Sequence, residues 1–216
     1  INIDLPGVEG ARAFSIANKP SDNGVLELHV RRVPDGAGTG YVHEQMQVGE
    51  TLHLSGPYGQ FFTRKSAPED LIFIAGGSGL SSPQSMVLDL LEHGDSRKIT
   101  LLQGARNLSE LYNRELFEQL AAEHDNFTYV PALDAPLEED DWEGFSGYVH
   151  EAAIDHFGGQ FAGHKAYLCG PPPMIDAAIT ALMQGRLFER DIYMERFLTA
   201  ADGADSGTRS ALFKKI

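Results

Sequence analysis

The sequence predicts a small antiparallel β unit, a barrel or a sandwich, followed by a parallel α/β sheet with covering helices. Three observations carry that expectation. In the first third of the 216 residues, short runs alternate apolar and polar side chains between turn clusters. At Leu71-Ile72-Phe73-Ile74-Ala75 the pattern becomes a continuous apolar run, as in a strand covered on both faces. From there to Met194 strand-like and helix-like segments alternate, which is the signature of a parallel sheet wound by helices.

Taken in order, Ile1 to Leu5, Val25 to Val33 and Thr51 to Ser55 read as strands. Pro6-Gly7, Lys19 to Gly24 and Pro34-Asp35-Gly36 read as the turns between them. A hinge is expected around residues 64 to 70, dividing the chain into 1–66, 67–197 and an extension, 198–216. After the apolar run come a glycine loop and a helix from Pro83 to His93, with Met86, Val87, Leu90 and Leu91 on one side. Pro83 suits a first turn, where its missing N–H costs nothing. Then follow a strand Ile99 to Leu102, a helix Leu116 to Glu123 and a strand Phe127 to Pro131. A helix His150 to Phe157, a strand Ala166 to Cys169, a helix Met174 to Met183 and a strand Ile192 to Met194 complete the alternation. Asp134 to Glu143 is acidic and reads as an exposed loop, and Ala200 to Thr208 as a mobile or packed extension.

Composition narrows the function classes. A net charge of −14 disfavours nucleic acid and anionic membrane surfaces as partners. No apolar run approaches the roughly 20 residues of a membrane span, and no signal peptide is visible, so a cytoplasmic location is expected. The single cysteine, Cys169, excludes an internal disulfide and a four-thiolate iron–sulfur cluster within this chain, and no metal site is expected. His150 and His156 are six apart and fall on different sides of a helix, so they are not a zinc-protease pair.

Four motifs remain: Arg12-Ala13-Phe14-Ser15, Ala75-Gly76-Gly77-Ser78-Gly79-Leu80, Cys169-Gly170-Pro171-Pro172-Pro173-Met174 and Tyr193-Met194-Glu195-Arg196-Phe197. An Arg fork suits a pyrophosphate, and a glycine loop between a buried strand and a helix suits a dinucleotide. Read alone, each also has a plainer meaning: a surface Arg beside a strand Phe, a turn, a buried inert thiol. In this order they resemble the ferredoxin-NADP reductase-like flavoproteins. Ser55 to Phe62, Phe73 to Met86 and Tyr167 to Ile175 are similar, at finer grain, to the reductase components of multicomponent phenol hydroxylases.

That resemblance implies a Greek-key flavin-binding β-barrel, incomplete here, before a Rossmann-like nucleotide-binding domain. It implies FAD and NADH as cofactors and hydride transfer from nicotinamide to flavin. Arg12, Ala13, Phe14 and Ser15, then His29, Val30 and Arg31, then Gly36, Gly38, Thr39 and Gly40 are the implied flavin-binding residues. A helix from about Gly40, with Thr39 at its N-cap, would offer its free N–H groups there. Gly77, Ser78, Gly79, Leu80, Gly104, Ala105, Arg106, Cys169, Gly170, Pro171, Pro172 and Met174 are the implied nucleotide-binding residues. No basic residue follows Arg106 before Arg114 to pair with a 2′-phosphate, which favours NADH over NADPH. Ser15, Cys169, Glu195 and Phe197 are the implied catalytic residues, Phe197 lying over the ring. The implied partner is the di-iron hydroxylase component of an oxygenase, reached through a [2Fe–2S] domain expected only in a longer protein. A ferredoxin domain and the barrel's opening strands are missing from the sequence, which reads as a fragment. Two other readings stand beside this one: a reductase serving a dioxygenase or a haem protein, and a non-catalytic nucleotide-binding module.

Overall fold

The computed structural model describes residues 1–197. The expectation for Ala200 to Thr208 lies outside them, as does the whole extension. Strands β1 (Asn2–Asp4), β2 (Arg12–Ala13) and β3 (His53–Ser55) form an antiparallel sheet in the order β2-β1-β3. Ile3 faces Arg12 on one side and Leu54 on the other. Helix α1 (Ala37–Glu44) closes this unit, with Tyr41 buried against Ile3 and Leu5.

Two expectations are corrected here. Val25 to Val33 is not a strand, because its backbone meets a neighbouring extended segment only at the bridge between Ile16 and Leu28 and the adjacent bond from Ala17 N–H to Glu27 C=O. An alternating pattern makes a strand only where a neighbour supplies a ladder. Helix α1 starts at Ala37, three residues before the expected Gly40, and Gly36 is its N-cap. Thr39 therefore lies inside the first turn, where its Oγ1 accepts from Val33 N–H at 3.1 Å.

The second sheet has six parallel strands. β4 (Asp70–Gly76), β5 (Ile99–Ala105), β6 (Phe127–Leu133), β7 (Phe145–Ser146), β8 (His164–Gly170) and β9 (Ile192–Arg196) lie in the order β7-β6-β5-β4-β8-β9. Helices α2 (Ser81–Glu92), α3 (Arg114–Glu123), α4 (Val149–Phe157) and α5 (Pro172–Gln184) cover it. Alternate side chains of one strand feed opposite cores. Phe73, Leu101 and Tyr167 pack with α2 and α3, while Ile72, Ile74 and Leu168 pack with α4 and α5. The chain runs outward from β4 through β6 and then returns to β8, so strand order reverses between β4 and β8. Ligands in such sheets bind outside the carboxyl ends of the strands at that reversal.

The connection between the sheets is tied down. Arg97, nearly buried, donates to the carbonyls of Arg64 and Ala67 at 3.2 and 2.9 Å and pairs with Asp95 at 2.7 Å. Arg64 N–H donates to the Tyr167 hydroxyl at 2.9 Å. The segment 64 to 70 is held by the sheet it leads into.

Candidate functional site

At the strand reversal, register puts a thiol beside a carboxylate: Cys169 of β8 pairs with Glu195 of β9. Cys169 Sγ lies 3.8 Å from Glu195 Oε2. Ser15, from the segment after β2, donates to the same oxygen at 3.1 Å. Ser82, in the first turn of α2, donates to it at 3.1 Å as well. One carboxylate oxygen thus gathers donors from the N-terminal unit and from two elements of the α/β unit. Cys169 is fully buried, and burial, followed by the negative charge of Glu195, holds its thiol far above the usual range. It remains an S–H donor to the carboxylate, not a thiolate.

A cavity of about 1140 Å³ opens beside this cluster and is lined from both units, by Phe14, Ser15, His29, Arg31, Gly77 and Glu195 among others. A second, of about 410 Å³, lies over the carboxyl ends of β4, β5 and β6, with Gly104, Ala105, Arg106, Glu110, Asp134 and Met174 in its wall. Gly77, Pro171 and Arg31 border both. Arg31 is exposed and forms no ion pair among the described residues, so its charge is available at the junction.

The expected site residues divide into groups. Ala13, Phe14, Ser15, His29, Val30, Arg31, Thr39, Gly77, Ser78, Pro171, Pro172, Glu195 and Phe197 line the larger cavity, and Gly77, Gly104, Ala105, Arg106, Pro171 and Met174 the smaller. Phe197 is held by a bond from its N–H to the carbonyl of Gly170 at 3.0 Å. Arg12 lies outside both walls. Its guanidinium donates to the carbonyls of Glu9 and Gly10 at 2.8 and 2.9 Å, and its stem crosses Gly38 in α1. Gly36, Gly38 and Gly40 also lie outside the cavity linings, as do Gly79, Leu80, Cys169 and Gly170. Gly79 lets the backbone of Cys169 pass, since a Cβ there would strike the Cys169 carbonyl. Gly104 likewise makes room for Val149 of α4. Gly79 thus shapes the walls from behind, while Gly104 forms part of one and lets α4 pack against it.

Ser82 is not among the site residues that the sequence motifs imply. The available signal was a hydroxyl in the first turn of the helix that the glycine loop opens.

Residues 1–63 match the family model described as the oxidoreductase FAD-binding domain, and residues 73–180 match the oxidoreductase NAD-binding domain. The chain belongs to the FAD- and NAD-binding oxidoreductases. It is 68% identical over its whole length to the phenol 2-monooxygenase reductase component DmpP of Pseudomonas sp. strain CF600, covering 61% of that protein. It is 67% identical, with the same coverage, to the phenol hydroxylase P5 protein of Acinetobacter pittii strain PHEA-2. The chain thus spans about three fifths of these curated relatives. Among solved structures, the Amycolatopsis cytochrome P450 reductase GcoB superposes with a TM-score of 0.83 at 31% identity, over 91% of this chain and 59% of that one. The cofactors of the two domains are FAD and NAD. The expected fold class holds: an open antiparallel sheet in place of a closed barrel, then a Rossmann-like unit.

Proposed function

We propose that this chain takes hydride from NADH at the junction of its two domains and, as part of a longer protein, feeds electrons to the oxygenase component of a phenol or related aromatic monooxygenase. The observation that carries the reading is the meeting of Ser15, Ser82 and Cys169 on Glu195 Oε2, beside a cavity walled by both domains. The 68% identity to a phenol 2-monooxygenase reductase component supports the choice of acceptor class. In this reading the partner is a di-iron hydroxylase, the location is cytoplasmic, and the domain division falls near residue 66.

The wall chemistry fits a dinucleotide flavin. The volume is of the size that ligand clefts reach, with an aromatic face at Phe14, hydroxyls at Ser15 and Thr39, and a free guanidinium at Arg31. Phe14, Ser15, His29, Val30 and Arg31 would hold FAD, and Gly77, Gly104, Ala105, Arg106, Pro171 and Met174 would hold NADH. FAD when bound supplies an acceptor for two electrons that can leave one at a time. The chain's own residues do the positioning. Glu195 collects the Ser15, Ser82 and Cys169 protons on one oxygen, which locks the two domains in one relation. The neutral thiol brings no charge to the point where nicotinamide would stand, and Phe197 covers the junction from the β9 side. Arg106 offers its charge to the nucleotide's phosphates. Glu110 and Asp134 in the same wall add negative charge, which disfavours a 2′-phosphate and favours NADH.

The test is a visible spectrum of the chain loaded with FAD, recorded without oxygen before and after NADH. Loss of the yellow colour is expected. Retention of flavin that NADH leaves oxidised would overturn the proposal. Nucleotide binding without reduction would favour the non-catalytic reading instead.

A further inference from the structure

Tyr112 lies in the turn between β5 and α3 and borders neither cavity, yet its hydroxyl reaches two functional elements. It donates to the carbonyl of Gly77 at 2.9 Å and lies 3.0 Å from His29 Nδ1, with the two rings meeting edge to face. His29 is contributed by the FAD-binding domain, and Gly77 heads the glycine loop of the NAD-binding domain. The imidazole's other nitrogen, Nε2, lies 3.0 Å from Glu27 Oε1. That oxygen also accepts from Gln84 Nε2 of α2 at 3.1 Å, and Gln84 Oε1 accepts from Asn113 Nδ2 at 2.8 Å. Asn113 follows Tyr112 directly, so the hydrogen bonds close into a ring that crosses between the domains twice.

The ring is built, not incidental. The Tyr112 carbonyl accepts from Gln103 Nε2 at 3.1 Å, and Gln103 Oε1 in turn accepts from the Tyr129 hydroxyl at 2.7 Å. Gln84 and Gln103 are both almost fully buried, as amides are when their bonds are satisfied. Asn113 holds a left-handed backbone, with φ of 57°, that sets the turn. Burial raises the Tyr112 hydroxyl well above the usual range, so it keeps its proton and remains a donor. A hydroxyl has one proton and two lone pairs. That one proton goes to the Gly77 carbonyl, and the oxygen's lone pairs face His29 Nδ1.

We propose that Tyr112 is a positioning residue, a clasp that fixes the peptide group of Gly77 and Ser78 against the flavin-side His29 and so sets where the nicotinamide end of the nucleotide stands. This rests on the hydride-transfer reading above. Of the smaller cavity's walls the clasp touches Gly77 alone, while Gly104, Ala105, Arg106 and Met174, which carry most of the affinity for the nucleotide, stand clear of it. Losing the hydroxyl therefore changes the rate of transfer and leaves binding alone.

The test is Tyr112→Phe in the full chain loaded with FAD, which keeps the ring and removes one oxygen. Three quantities are measured: amide exchange at Ser78, NAD+ affinity by calorimetry, and flavin reduction at saturating NADH. Exchange should quicken and reduction slow, each by about fivefold, the factor one neutral hydrogen bond carries. NAD+ affinity should stay within about twofold. Exchange and reduction at the parent's values would overturn the proposal, as would affinity and rate falling together, which would mark general damage. Parent protein that NADH fails to reduce would contradict the proposed function instead, and the exchange and affinity readouts would then decide the clasp alone.

Discussion

In β4 every residue from Leu71 to Gly76 is buried, whereas all three residues of β3 are exposed. The six-stranded sheet buries both faces, with α2 and α3 on one and α4 and α5 on the other. The N-terminal unit has a core of Ile3, Leu5 and Tyr41 with partly buried neighbours. It leans on the larger unit mainly through polar contacts, with Phe61 packed on Tyr167 beside them. Ser85 Oγ donates to the Asn18 carbonyl at 2.8 Å, Glu92 holds Lys19 and Ser21, and Ser15 reaches Glu195. The difference teaches that one unit is rigid by packing and the other is placed by docking. The groups proposed to meet the cofactors sit where the second is placed on the first.

Removing packing from the stronger unit has the largest effect. Phe73, fully buried between Tyr167 and its neighbours, should cost about 3–5 kcal/mol as Phe73→Ala. Urea unfolding checks this, and a loss below 1 kcal/mol would break the comparison. Ile3→Ala should cost less, about 2 kcal/mol, at the low end for such truncations because its cluster is small and can relax. Its amide-exchange signature should stay within residues 1–63, and faster exchange in β4 would contradict separate bases for the two units. Ser82→Ala removes one of three donors to Glu195 and should slow flavin reduction about fivefold, the worth of one hydrogen bond. Rapid mixing with NADH measures it.

The smallest effect concerns acid. The hydrogen bond from Arg97 holds the Asp95 carboxyl below its usual range. A depressed folded value contributes stability above the unfolded value, near 3.9, and loses it as pH falls through the folded value. Stability of the parent should therefore drop below about pH 4 more steeply than that of Asp95→Asn. Denaturant midpoints against pH decide it, and parallel curves would exclude the pair as a contributor.

Legibility in the sequence follows the same division. The buried strands were readable because both of their faces are apolar, and the sheet only lengthened them, as with Ile99–Ala105 for the expected Ile99 to Leu102. Val25 to Val33 misled because alternation records what faces inward, not which backbone pairs with it. β7 was missed because two residues, Phe145 and Ser146, carry no period. Ser15, Cys169 and Glu195 were legible through motifs, and register then accounts for the meeting of the last two. Ser82, Tyr112 and Arg97 were not, since each acts through a contact between segments distant in the chain.

The central claim is that the donors gathered on Glu195, the buried thiol of Cys169 among them, set where hydride crosses. It is tested most directly by rapid mixing of NADH with FAD-loaded Cys169→Ala, beside NAD+ affinity measured on the same protein. The account predicts reduction slowed about tenfold or more, the factor about 1.4 kcal/mol of transition-state positioning carries, with affinity nearly unchanged. Equal losses in rate and affinity, or no loss in rate, would contradict it.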